Sequence, residues 1–410
     1  MAPTRLARIL IVDDSAVMRS LLRSVLATDK RLETVGTASD GAAALRAMEA
    51  LRPDLVLLDV EMPVMDGLNT LKQMRMRGLR MPVIMCSTLT QRGAQVTIEA
   101  LASGAADYVA KPSGQPSREA AVEALANHLV PRILALTGRV QPVAPDYTPA
   151  PSHTTSAFAH PPQAAAPRPT PPAAAHGPSN VVPWAPIAGY PTSAQLPPKK
   201  LLPISSNATA LLIGVSTGGP AALDTLLPAL PASFPLPVLV VQHMPELFTK
   251  LLAERLDTRC PLRVREAVHG EPVRPGTIYI AKGNWHMEVV GRSGQQPTLR
   301  LHQEAAENHC RPAVDVLFRS AVQVYGSGVL SVVLTGMGSD GFAGCRLVRE
   351  HAGTVLVQDQ ATSAVWGMPG VVAQSGLAHR ILPLNAIAPE ILRLTGRGQR
   401  EAVELRESVV

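Results

Sequence analysis

Sixteen of the chain's 38 prolines fall between residues 141 and 200, and that crowding divides the sequence before any motif is read. The stretch is otherwise rich in alanine with some serine and threonine, and it includes Pro161-Pro162 and Pro171-Pro172. Each proline removes a backbone donor and disfavours helix. What remains offers little apolar surface to bury. Residues 137–204 are therefore expected to form a flexible, partly polyproline-II linker that tethers its flanks without fixing their geometry. Each flank must then fold around a core of its own, and 410 residues suit two domains with a connector. The expected bounds are 5–136 and 205–398. Hydrophobic residues make up 46% of the chain but aromatics only 3%, so both cores must be built from Leu, Val, Ile, Ala and Met.

Both flanks alternate short apolar runs with helical patterns. In the first, residues 8–12, 32–37, 55–59, 83–86 and 107–109 look like strands. Amphipathic segments between and after them include 15–26, 41–51, 91–103 and a last one near 118–136. Five strands alternating with five helices imply a parallel sheet covered on both faces. In the second, 211–214, 238–242, 329–334 and 354–357 are nearly all apolar, as strands buried on both faces should be. Helical patterns follow at 221–230, 248–257 and 340–351. The stretch 269–301, richer in Gly, Pro and alternation, suggests an antiparallel extension. The fold class expected is α/β, with two doubly wound parallel-sheet domains.

The net charge of +6 invites a nucleic-acid reading, but its distribution argues against one. Basic residues number 14 against 12 acidic over 1–112, and 18 against 17 over 201–410, with no basic stripe interleaved with aromatics. Cys86, Cys260, Cys310 and Cys345 lie far apart and form no metal-binding spacing, which fits reduced thiols. Neither a leader pattern nor 18 uninterrupted apolar residues is present, so neither secretion nor membrane insertion is expected, and the chain is read as cytoplasmic.

In an open parallel sheet, functional groups gather where strands end at their carboxyl edge. Asp13 and Asp14 end the first strand and Asp59 the third; Ser87 and Thr88 follow the fourth, and Lys111 the fifth. Clustered carboxylates repel one another unless a cation neutralises them. A hard, oxygen-seeking Mg²⁺ suits such a site and also accepts phosphate oxygens. The ordered series LIVDDS, LLDVEMPVMDG, PVIMCST and GAADYVAKP resembles the CheY-like receiver family over residues 5–135. The resemblance implies a flavodoxin-like domain with Asp59 as phospho-acceptor. It also implies Mg²⁺ held by Asp13, Asp14 and Asp59 with the Glu61 backbone carbonyl. Ser87 and Lys111 would contact the phosphoryl group, and Tyr108 would be the aromatic that changes rotamer on activation.

In the second flank, Gly214-Val215-Ser216-Thr217-Gly218 matches G-x-S-x-G between a strand and a helix, where a sharp turn exposes a nucleophilic hydroxyl. A glycine loop that merely packs a helix looks the same, although neither nucleotide-binding glycine pattern fits. A serine needs a base, and His243 ends the next apolar strand. His286 and His309 are the alternatives, but neither follows a buried parallel strand. The carboxylate orienting the imidazole is expected to be Asp340, which could instead cap a helix. The order Ser, His, Asp differs from the Ser, Asp, His of ordinary α/β-hydrolases.

That order, with IGVSTGGP, VVQHMPELFT, RPAVDVLFRS, VVLTGMGSDG and QDQATSAVWGMPG, resembles the CheB-type protein-glutamate methylesterase family over about residues 208–395. The resemblance implies a Rossmann-like catalytic domain with Ser216 as nucleophile, His243 as general base and Asp340 as orienting carboxylate. The Met337 amide and the Thr217 region would form the oxyanion hole, with no cofactor in this half. It further implies hydrolysis of glutamate γ-methyl esters on chemotaxis receptors, glutamine deamidation, and a CheA-type histidine kinase as phosphoryl donor. Ala313 stands where the family usually has serine, and Lys282 where proline is common. The competing expectation is a response regulator that acts by protein binding, with a vestigial esterase domain, in a non-motility pathway.

Overall fold

The computed structural model describes residues 5–88, 90–112, 114–138, 208–292 and 295–396. Nearly all of the expected proline-rich linker lies outside the described residues.

The first sheet comprises β1 (Ala7–Val12), β2 (Leu32–Ala38), β3 (Leu55–Asp59), β4 (Val83–Ser87) and β5 (Asp107–Ala110). All pair in parallel in the order β2-β1-β3-β4-β5. Both faces are buried, as the all-apolar runs require, with every residue of β3 and β4 inside. The helices are α1 (Ala16–Leu26), α2 (Gly41–Leu51), α3 (Gly67–Met76), α4 (Gln91–Ala102) and α5 (Arg118–Leu136). Their starts are fixed by side-chain caps: Ser15, Asp40, Asp66, Thr90 and Ser117 each accept a first-turn amide.

The second sheet has seven parallel strands. They are β6 (Ala210–Val215), β7 (Val238–Gln242), β8 (Arg263–Glu266), β9 (Thr277–Ile280), β12 (Val329–Val333), β13 (Thr354–Gln358) and β14 (Arg380–Leu382), ordered β14-β13-β12-β6-β7-β9-β8. Between β9 and β12, β10 (His286–Val290) and β11 (Thr298–His302) form a separate antiparallel pair. The stretch expected to be antiparallel is thus divided: β9 joins the main sheet in parallel, and only the hairpin runs antiparallel. Around these strands lie α6 (Gly219–Leu226), α7 (Glu246–Asp257), α8 (Val314–Tyr325), α9 (Phe342–Glu350), α10 (Met368–Gln374) and α11 (Leu384–Leu394). No helix among the described residues is long and apolar enough to cross a membrane.

Both sheets reverse strand order beside their first strand, and ligands of open parallel sheets bind at such switch points. In the first sheet β1 lies between β2 and β3; in the second, β6 lies between β12 and β7. Ser216 follows β6, His243 follows β7 and the Asp340 loop follows β12, so three adjacent strands deliver the three groups. The two glycines of the serine motif have separate reasons. A Cβ on Gly214 would lie 2.4 Å from Val314 Cγ1, so glycine lets α8 sit against β6. Gly218 takes φ +78°, a left-handed turn open to glycine, and caps α6.

The two halves of the chain are in contact. Helix α4 packs against α6 and α7, and the Tyr108 ring stacks on Phe248 with centroids 4.4 Å apart.

Candidate active site

At the first switch point, Asp13, Asp14 and Asp59 bring carboxylate oxygens within 4.8 Å of one another. Lys111 Nζ lies 2.8 Å from Asp13 Oδ2 and 2.7 Å from Asp59 Oδ2. Burial, with help from the Asp13 charge, pushes Asp59 up to about 6 against the pull of Lys111. Burial works against the Lys111 cation, but its two carboxylate partners outweigh this and raise it above the ordinary lysine range. Ser87 is buried at the end of β4, with its hydroxyl donated to the Thr88 carbonyl at 3.1 Å. The Glu61 side chain is exposed and lies 3.6 Å from Arg92, away from the carboxylate cluster. An all-oxygen donor set of this kind fits a hard divalent cation.

At the second switch point, the Ser216 amide donates to the Thr335 carbonyl at 3.0 Å, and Gln242 Nε2 donates to the Ser216 carbonyl at 3.0 Å. Gly336 presses on the serine: a Cβ there would lie 2.8 Å from Ser216 Cβ. His243 Nε2 is 2.8 Å from Asp340 Oδ2, which joins the expected base to the expected carboxylate. The other ring nitrogen, Nδ1, faces Cys310 Sγ at 3.5 Å. Among the described residues, these two groups are the hydrogen-bond partners of the imidazole, and the Ser216 hydroxyl is not one of them.

Asp340 is 2% exposed, so its charge needs several donors. Its Oδ2 also accepts the Val314 amide at 2.7 Å, and its Oδ1 accepts the Asp315 amide, the Gly341 amide and Asn308 Nδ2 at 2.9–3.0 Å. Burial would raise this carboxyl, but His243 and the amides hold it below the usual range. Helix α9 starts after Gly341 without a side-chain cap, so capping α9 does not account for Asp340. It lies instead against the first turn of α8, whose N-cap position is held by Ala313 and receives no side-chain bond. Lys282, the other departure from the family pattern, pairs with Glu246 at 2.7 Å.

Three residues around the site escaped the sequence reading. Asn308 bridges Asp340 and Asp315, donating to Asp315 Oδ2 at 3.0 Å. Burial and the Asp340 charge push Asp315 up to about 7. Cys310 takes the nitrogen of His243 that Asp340 leaves free. All three lie in ENHCRPAVDVLF, a run prominent in the sequence, but only a contact across 67 residues gives Cys310 its meaning. Met337 is half-buried beside Gly336. Thr217 is buried, and its hydroxyl donates 2.7 Å to Asp107 Oδ2 of the first sheet. The next amide, Gly218, donates to the Ala106 carbonyl at 3.0 Å, and Arg132 also holds Asp107 at 3.1 Å. Of the alternative histidines, His286 is buried, with Nε2 on the Ala305 carbonyl, and His309 is exposed.

Two parallel sheets, each with its polar groups gathered at its switch point, define a receiver-type domain joined to a second α/β output domain. Comparison with known proteins makes this specific. The response regulator receiver domain model matches residues 9–123, and the CheB methylesterase model matches 211–391. A protein-glutamate methylesterase/protein-glutamine glutaminase of a Nocardioides species is 47% identical, over 95% of this chain and 96% of the relative. A protein with the same description from Trichodesmium erythraeum is 44% identical, over 95% and 99%. The chain belongs to the CheB methylesterase family.

Burial favours the neutral His243 ring, but its hydrogen bonds to Asp340 and Cys310 outweigh this and hold it well above the ordinary imidazole range. Removing the sulfur removes part of that support. In histidine NMR titrations, Cys310→Ala is expected to bring the His243 midpoint down relative to wild type. An unchanged or higher midpoint would contradict the contact.

Proposed function

We propose that this protein hydrolyses glutamate γ-methyl esters on chemotaxis receptors, releasing methanol, and deamidates receptor glutamines by the same chemistry. The observation that carries the reading is the 2.8 Å His243–Asp340 bond beside Ser216, on three adjacent strand ends. With Nε2–H donated to Asp340, Nδ1 is the nitrogen that titrates, and in the neutral ring it is the base. It would take the Ser216 hydroxyl proton as the oxygen attacks the ester carbonyl. Backbone donors near Met337 and Thr217 would hold the oxyanion, methanol would leave with the proton from His243, and water would then cleave the acyl-enzyme. An amide substrate would follow the same path and release ammonia. The domain bounds proposed are 5–136 for the receiver and 205–398 for the catalytic part.

The receiver would take its phosphoryl group on Asp59 from a CheA-type histidine kinase. Asp13, Asp14 and Asp59, with the Glu61 carbonyl, would hold Mg²⁺, which when bound offsets the negative charge of the incoming group. Lys111 and Ser87 would contact the same phosphoryl oxygens. Regulation would pass through the shared surface: Asp107 holds Thr217, Ala106 holds Gly218, and Tyr108 stacks on Phe248. Three consecutive receiver residues thus engage the turn beside Ser216 and the first part of α7. A charge gained at Asp59 would shift Ser87 and Tyr108 and loosen this contact.

The Cys310–His243 contact raises a second reading, with Cys310 rather than Ser216 as nucleophile. Methanol release from methylated receptor separates the two. Ser216→Ala is expected to lower kcat by several orders of magnitude while Cys310→Ala stays active. The opposite ranking would transfer the nucleophile to Cys310, and no loss in either variant would leave a protein-binding regulator with a vestigial esterase. For regulation, a lost charge-assisted hydrogen bond is worth about 1.5–3 kcal/mol. Asp107→Ala is therefore expected to raise the unphosphorylated rate on the order of tenfold and to shrink the stimulation by acetyl phosphate. An unchanged basal rate with full stimulation would contradict the latch.

A further inference from the structure

We propose that His243 Nδ1 and Cys310 Sγ form a binding site for Zn²⁺, and that the bound ion shuts off the Ser216 centre. Asp340 accepts from His243 Nε2 at 2.8 Å, which leaves Nδ1 directed at the sulfur 3.5 Å away. Zinc bonds of about 2.0–2.1 Å to nitrogen and 2.3 Å to sulfur, at a tetrahedral angle, separate the two donor atoms by roughly 3.5–3.6 Å. The pair already stands at that separation.

The surroundings fit the same ion. A metal-bound histidine usually donates its other ring N–H to a carboxylate, which fixes the ring and raises its basicity. Asp340 does this here. Both of its oxygens are already taken by amides and Asn308, so it acts as the outer partner and not as a ligand. Thiolate with imidazole selects zinc over the hard cation suited to the carboxylates of the receiver. His243, Cys310 and Asp340 are also the one cluster of metal-capable donors among the described residues that contains a thiol. Cys86 is buried in β4 and Cys345 in α9, and Cys260 lies apart from the site.

On binding, two coordinate bonds form, to Nδ1 and Sγ, and the thiol proton and the Nδ1 proton of the cationic ring leave to solvent. Water or the Ser216 hydroxyl would complete the tetrahedron. The nitrogen needed to accept the serine proton is then occupied. This inhibitory consequence rests on the Ser216–His243 reading, whereas the binding itself does not.

The experiment uses the full-length chain, untagged and stripped with chelator, titrated with Co²⁺ and then Zn²⁺. A near-ultraviolet thiolate-to-cobalt charge-transfer band is expected, displaced by Zn²⁺, retained in Cys260→Ser and lost in Cys310→Ser and His243→Gln. Cobalt held by the receiver carboxylates gives no such band. Loss of an outer hydrogen-bond partner costs about 10–100-fold in metal affinity, and loss of a ligand costs no less. Zinc inhibition of methanol release, measured for each protein against its own chelated sample, is therefore expected to weaken at least about tenfold in Cys310→Ser. No band, or a band that survives Cys310→Ser, overturns the site. A band with the expected variant pattern in a protein that releases no methanol upholds the site and overturns the esterase reading instead.

Discussion

A carboxylate buried at the start of a helix organises the catalytic half of this protein. Asp340 accepts five hydrogen bonds, from His243, Asn308 and the amides of Val314, Asp315 and Gly341. Two of these amides belong to the first turn of α8, where the helix presents unpaired donors and partial positive charge. One anion thereby ties together the end of β7, the loop before α8, α8 itself and the approach to α9. The imidazole orientation follows from that arrangement, and so does the choice of Nδ1 as the free nitrogen. Removing the carboxyl would strand several buried donors at once, which costs more than the loss of any single bond.

The receiver half solves the same problem with a cation. Asp13 and Asp59 are buried side by side, and Lys111 lies within 2.8 Å of both. Such a pocket responds strongly to added charge, because Asp59 and Lys111 each shift the other. Its neighbour along β5 carries the link to the second half: Asp107 is shared between Arg132 and Thr217, and Tyr108 lies on Phe248. The strand that Lys111 directly follows also touches the turn beside Ser216. That short path gives a physical basis for coupling the two switch points.

Much of this was legible in the sequence, because a strand buried on both faces leaves a continuous apolar run whose last residue marks the carboxyl edge. The strands ending at Asp59 and Gln242 and the helix over Arg118–Leu136 have the bounds their patterns suggest. His243 could be paired with Ser216 because β6 and β7 are consecutive and parallel. The signal fails where contact is long-range and irregular. Asn308 and Cys310 sit in a loop where Asn308 and His309 take positive φ, and no periodicity predicts where such a loop carries its side chains. Helix α3 was also hard to bound, since its run GLNTLKQMRM lacks a strong apolar stripe. The parallel pairing of β9 depends on its partners β7 and β8, which its own four residues do not identify.

In the proposed mechanism, the serine at the β6 switch point carries the acyl group. Its most direct test is to quench the full-length chain during turnover of methylated receptor peptide and map the trapped acyl adduct by mass spectrometry. A glutamyl ester on Ser216 is expected, absent when His243 is replaced. An adduct on Cys310, or turnover without any covalent adduct under conditions that trap acyl-enzymes, would contradict it.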